Sequence, residues 1–252
     1  MALVDDLVSY WNMDVAGATE VDQHGSNNLT KSGTITSVTG KIGNAHYHTG
    51  ANSSRYGVTM AASTDLTFHN YDFSVSLWLQ RQSWDSAKWI IIGGRWHQYV
   101  TERRTWNLFA NAAGGDAGQL IFMTEDENGT QHSGKVDSGH KILDGDWHHI
   151  VITFNATTKQ KIIYVDNSEG YNGTASHSVD LRNDISSEFY VGYKGQSLNH
   201  DEYMDEMAVW KRVLTPAEVE QLWNNGDGID YNTIAGDQFI EGEAHITLRA
   251  GG

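Results

Sequence analysis

The stretch Leu143–Asn167 reads LDGDWHHIVITFNATTKQKIIYVDN. An Asp-Gly turn at Asp144–Gly145 opens onto an alternating run, His148–Phe154. A polar break follows, and a second alternating run, Lys161–Val165, returns. Apolar and polar residues in strict alternation mark a half-buried strand, and two such runs joined by a short polar break mark a hairpin. A second stretch, Met204–Gly228 (MDEMAVWKRVLTPAEVEQLWNNGDG), adds a strand, a short capped helix and a glycine-rich stop.

Working outward, Phe73–Leu79 (FSVSLWL) alternates with Phe73, Val75, Leu77 and Leu79 on one face and Ser74, Ser76 and Trp78 on the other. Further strands are read at Leu7–Asn12, Ala45–Tyr47, Arg55–Met60, Trp89–Ile92, Trp106–Ala110, Gln119–Thr124, Phe189–Tyr193 and Met204–Trp210. Turns are expected at Gly93–Gly94, Gly114–Gly115 and Asn128–Gly129, and a loop from Asn12 to about Thr30. Many short strands with turn residues between them predict an all-β fold of two packed antiparallel sheets. One helix is predicted, Pro216–Trp223. Thr215 is its N-cap, Pro216 suits the first helical position, Glu218 completes a capping box, and Gly226 supplies the stop. It is expected to cover an end of the sandwich.

The 252 residues suit one large β domain or two small ones, and 39% hydrophobic residues with 9 Trp supply a substantial core. The absence of cysteine excludes disulfides and thiolate metal sites, so packing and oxygen-ligated ions are what remain. A net charge of -15 opposes nucleic-acid binding, which needs a basic face. No window is apolar for long enough to cross a membrane as a helix, and MALVDDLVSYWNMD does not read as a signal peptide.

Several motifs, taken in order, resemble the laminin G-like (concanavalin A-like) jelly-roll family. Leu7–Trp11 before Asn12, Met13 and Asp14 is similar to its opening strand and acidic loop. Gly40–Ala45 (GKIGNA) matches its Gly-x-x-Gly-x-Ala turn, and Asp72–Trp78 its F-S-x-S-x-W strand. Trp147–Val151 and Tyr164–Asp166 match its central hairpin, Phe189–Gly192 its F-x-x-G strand, and Asp205–Leu214 its acidic-pair strand before the helix. The departures are His46, Tyr47 and His48, where an apolar and then an acidic residue is commoner, and Asn167 in place of Gly. The resemblance implies a two-sheet antiparallel jelly-roll sandwich over residues 1–231. Residues 232–252 form an extension, expected as an edge strand or a docking arm.

The resemblance also implies a structural Ca²⁺ at a sheet edge, held by Asp205 with Asp14 and Asp22 from the first loop. His46 and His48 share a face as zinc ligands do, but with no third ligand at suggestive spacing they are expected on the surface or rim. His148 and His149 point to opposite sides of their strand.

Three functions compete. Laminarinase-type glycoside hydrolases of this fold set Glu, Asp and Glu at alternate positions of one inner strand. Here Glu125-Asp126-Glu127 runs into a turn and is expected to be exposed, and Asp201-Glu202 with Asp205-Glu206 has the wrong interval, so an enzyme is not expected. Binding is favoured by a segment rich in Trp and Arg. Within it Trp84, Trp96 and Tyr99 are the candidate glycan-stacking residues, while Trp89 and Trp106 alternate into the core. Five Asn-x-Ser/Thr sequons, starting at Asn28, Asn52, Asn128, Asn155 and Asn172, read as polar turns. The chain also resembles standalone laminin G-like proteins displayed on bacteriophage particles. That implies a virion-surface decoration or tail-adhesion role, with capsid or tail proteins as partners and a homo-oligomer compatible with it. A free carbohydrate-binding lectin, extracellular or at a cell surface, is the alternative.

Overall fold

The alternating runs become hydrogen-bonded strands in the computed structural model. It describes residues 1–51, 54–59, 65–81, 89–97, 103–111, 115–183, 188–192 and 199–236. In chain order the strands are β1 (Leu7–Trp11), β2 (Thr19–Glu20), β3 (Leu29–Ser32), β4 (Ile35–Thr39), β5 (Asn44–Ala51), β6 (Arg55–Thr59), β7 (Phe73–Arg81) and β8 (Trp89–His97). Then come β9 (Arg103–Asn111), β10 (Leu120–Glu125), β11 (Gln131–Lys135), β12 (Trp147–Phe154), β13 (Gln160–Val165), β14 (Ser168–Thr174), β15 (Glu188–Gly192) and β16 (Asn199–Trp210). Helix α1 (Pro216–Trp223), a 3₁₀ turn and α2 (Tyr231–Gly236) follow.

The first sheet runs β14-β13-β12-β7-β16-β5-β4, with β1 also paired to β16. The second runs β11-β10-β9-β8-β15-β6-β3-β2. Phe73, Val75, Leu77 and Leu79 of β7 meet Ile150, Ile152 and Phe154 of β12 in the core between the sheets, as their alternation predicts. Trp106, Phe122 and Phe189 come from the opposite sheet. Edge-to-face rings pack there: Phe73 of the first sheet meets Phe122 of the second at 6.2 Å, and Phe68, from the segment before β7, meets Trp106 at 5.5 Å. Each such side chain contributes about 1.5–3 kcal/mol through burial.

Helix α1 has the predicted ends with one change. Thr215 and Glu218 form the capping box, but the stop is Asn224, in the left-handed conformation (φ 47°, ψ 54°), two residues before Gly226. Asn takes that conformation because its short polar side chain can bond locally. The helix covers a face of the first sheet and not an end. Val219 and Leu222 pack with Val151, Tyr164, Ala208 and Trp210 in a second core.

Other expectations are revised. Gly93–Gly94 lies inside β8, at an irregular register with β9, so the glycines serve a bulge and not a turn. The expected loop from Asn12 holds β2 and β3. Strands β4, β11 and β14 are polar enough to have escaped the alternation test. The C-terminal extension starts as a helix, with Ile234 buried in the second core; residues 237–252 lie outside those described.

An outward aromatic row and an acidic sheet junction

Strand register assembles a row on the outer face of the first sheet. Trp147 of β12 is opposite Gln80 of β7, Gln80 is opposite Tyr203 of β16, Tyr203 is opposite Tyr47 of β5, and Tyr47 is opposite Thr36 of β4. Alternation sets their direction: Leu79 and Met204 beside them belong to the core, so Gln80 and Tyr203 point out. Trp147, Gln80, Tyr203 and Tyr47 are half-buried, and Thr36 is exposed. The Tyr47 and Tyr203 rings stack at 4.6 Å and 19°, and Trp147 meets Tyr203 edge-on at 6.4 Å and 69°. Gln80 Nε2 donates to the Gly145 carbonyl at 2.7 Å, which fixes its carboxamide.

The row ends the helix-covered region. Two residues back along β7, Trp78 is buried beneath Trp223 of α1, their rings stacked at 5.3 Å. Lys41 Nζ lies 4.7 Å from the centre of the Trp78 ring. Beside this stack opens a cleft of about 680 Å³, between Ile42 and the segment Asn224–Asp230.

A second feature lies at Asp205. Strand β16 pairs with β5 up to Met204 and with β1 from Met207, and its register with β7 shifts between Asp205 and Ala208. Asp205 therefore stands where the sheet changes partner. Its Oδ2 accepts from Lys41 N at 2.9 Å and Ile42 N at 3.0 Å, while Oδ1 is buried without a hydrogen bond. Burial, with the nearby Asp14 charge, pushes this carboxyl up to about 8 against the backbone donors. A Cβ on Gly40 would come within 2.6 Å of Asp205 Oδ2, and one on Gly43 within 2.6 Å of Asp14 Oδ1. The GKIGNA turn is therefore moulded around both acids. Asp14 accepts from Asn44 N at 2.8 Å and Asn12 Nδ2 at 2.6 Å.

Asp22, the third expected ligand, is not brought to them. Its Oδ1 accepts from the backbone of Tyr10, His24 and Gly25, and its Oδ2 from Asn27 N, so it clamps the loop after β1. Among the described residues no group of three or more His, Asp or Glu is arranged to hold a metal. Asp205 and Asp14 fit an oxygen-ligated ion; Asp22 does not.

Most buried acids have structural partners. Glu202 pairs with Arg81 at 3.0 Å, Glu20 with His46 at 3.2 Å, and Glu125 with Arg182 at 2.6 Å. Asp126 accepts from Asn128 N and Thr130 N and faces His177 at 3.7 Å. The expected exposure of this hairpin tip is corrected for Glu125 and Asp126, which are buried where Leu181 and Arg182 pack on them. Asp205 and Glu206 do not act as a pair: Asp205 senses Asp14, and Glu206, pushed up to about 9 by burial, senses Asp230. His46 and His48 are also corrected, from rim to interior. Both are fully buried, and His46 stacks on Tyr56 at 4.6 Å.

Of the glycan candidates read from sequence, Trp84 and Tyr99 lie outside the described residues, and Trp96 is described only through its backbone in β8. Trp106 is in the core, as expected. The outward row escaped sequence reading because Trp147, Gln80, Tyr203 and Tyr47 are far apart in the chain and meet only through register. Their outward parity was legible at Trp147, beside the alternating His148–Phe154.

The fold is shared with solved structures. The chain is similar to the binding domain of Paraclostridial Mosquitocidal Protein 1 (18% identity, TM-score 0.71, 89% of this chain over 53% of that one). It is also similar to Trypanosoma rangeli sialidase in complex with sialic acid (15% identity, TM-score 0.65, 90% over 34%). A third likeness is to the ligand-binding domain of botulinum neurotoxin serotype D in complex with N-acetylneuraminic acid (13% identity, TM-score 0.68, 88% over 51%). The chain spans about half the length of two of these chains and a third of the other. No curated protein sequence matches it. A laminin G-type family model, described as concanavalin A-like lectin/glucanases, matches residues 52–220. The chain thus belongs to the concanavalin A-like lectin/glucanase superfamily.

Proposed function

We propose that this protein is a non-enzymatic carbohydrate-binding module whose contact surface is the Trp147–Gln80–Tyr203–Tyr47–Thr36 row. The observation that carries the reading is the register that gathers three half-buried aromatic rings and a fixed carboxamide on one outward face. Aromatic rings offer apolar surface to sugar C–H groups, and phenol hydroxyls and an amide offer hydrogen bonds to sugar hydroxyls. Likeness to toxin binding domains, one of them in complex with N-acetylneuraminic acid, agrees with binding as the task. The structural pairing of the acids Glu20, Glu125 and Glu202 supports the non-enzymatic reading. Binding to a glycan array, lost in Trp147→Ala and Tyr203→Ala variants that keep the wild-type circular dichroism, is the expected result. Binding that both variants retain contradicts the assignment.

Two finer points belong to the same proposal. The first is a structural Ca²⁺ held by Asp205 and Asp14, supported by the unpartnered, buried Asp205 Oδ1. When bound, the ion would supply the charge neutralisation that this junction lacks. The second is display on a bacteriophage particle, supported by the resemblance to standalone virion proteins; mass spectrometry of purified particles tests it, and absence of the protein contradicts it.

A further inference from the structure

We infer that the row takes a neutral oligosaccharide laid across the strands, and not a single acidic sugar; this rests on the glycan-binding reading above. Two observations carry it. The first is extent. The row crosses five adjacent strands, β12, β7, β16, β5 and β4, which is four strand spacings of about 4.8 Å, or roughly 19 Å. The rings, Trp147 at β12, Tyr203 at β16 and Tyr47 at β5, span three of those spacings, roughly 14 Å, which is still longer than one pyranose ring. A ligand that used the whole row would place successive sugar units along it.

The second observation is charge. None of the five row residues is charged. Arg81, next to Gln80 in β7, turns inward and is held by Glu202 at 3.0 Å. Lys41 is drawn over the Trp78 ring on the helix side of the row. The turn leading into Trp147 carries two exposed acids, Asp144, which is paired with His148, and Asp146, and the adjoining cleft is lined by Glu220, Asp227 and Asp230. Among the described residues no cation is free to pair with a sugar carboxylate or sulfate on the row, so such a group would lose water there and would meet the field of a chain with net charge -15. Neutral hydroxyls meet no such penalty.

An array carrying neutral oligosaccharides of several hexoses alongside sialylated and sulfated glycans tests this with the full chain. Neutral spots are expected to bind and acidic spots to stay blank. Calorimetry on the best neutral series should then show affinity rising at least about tenfold from the monosaccharide to the tetrasaccharide, as more rings are engaged. Tyr47→Phe should keep that gain and Tyr47→Ala should reduce it. Sialylated or sulfated glycans bound through the row, with binding lost in Trp147→Ala, overturn the inference and leave the glycan-binding reading standing. A monosaccharide that binds as tightly as the tetrasaccharide does the same. No binding to any spot overturns both.

Discussion

His148 stands between two carboxylates, Asp166 Oδ2 at 2.7 Å and Asp144 Oδ1 at 2.9 Å. Burial opposes its charge, but the hydrogen bonds and charges of Asp166 and Asp144 prevail and hold the imidazole at about 9. Its neighbour His149, packed against Trp78 and Trp223, is pushed down to about 4 by burial, against the pull of Asp166. Nuclear magnetic resonance titration is therefore expected to find His148 protonated at neutral pH and His149 neutral. The opposite assignment contradicts the geometry. Because the folded value of His148 lies above its ordinary 6.5, its contribution to stability is full below pH 6.5 and is lost as pH rises through about 9. The stability gap between wild type and Asp166→Asn should close across that window. Lys161 is a buried cation with a structural task. From β13 it donates to the carbonyls of Phe122 and His132 in the opposite sheet, at 3.0 and 2.8 Å, and burial pulls its ammonium down to about 7. Lys161→Met should cost about 2–4 kcal/mol, because two carbonyls lose their donor; an unchanged urea midpoint would argue against the pin.

At the scale of elements, legibility followed the strength of local signals. β7 was readable because Phe73, Val75, Leu77 and Leu79 alternate with Ser74 and Ser76, and the β12–β13 hairpin because Ile150, Ile152 and Phe154 recur at every second position after the Asp144–Gly145 turn. Helix α1 was readable from Thr215, Pro216 and Glu218, and all three take the expected capping positions. Thr215→Ala should lower stability by about 1 kcal/mol, measured by thermal melting, because Glu218 N loses its acceptor. Strands β4 and β14 were not readable: Thr36, Ser37 and Thr39, or Glu169, Asn172 and Gly173, become strand only by pairing with a neighbour already in place. The same limit hid the aromatic row. Tyr47 sits in a run whose histidines drew attention as ligands, yet they turn inward and leave Tyr47 outside. Asn167 is an apparent departure that the structure explains. Asp166 and Asn167 both have positive φ, 52° and 63°, the conformation that lets a two-residue turn follow the strand twist.

Across the whole molecule, the acidic balance meets one junction at which ordered strands change partner. Asp205 and Asp14 share the GKIGNA turn, and an ion there would tie β1, β5 and β16 together. Calcium takes about six to eight oxygens, which the carboxylates and loop carbonyls would supply. Chelation with EDTA should lower the melting temperature and added Ca²⁺ restore it, with neither effect in Asp205→Asn. A melting curve indifferent to both argues against the ion. On the proposed reading the outer face of the first sheet is divided: the part under α1 packs against Val219 and Leu222, and the row beyond it is the contact surface. A crystal of the protein grown with its best-bound oligosaccharide tests this most directly. Sugar rings are expected against Trp147, Tyr203 and Tyr47, with a hydrogen bond to Gln80. Sugar found instead among Trp84, Trp96 and Tyr99, with the row bare, would contradict it.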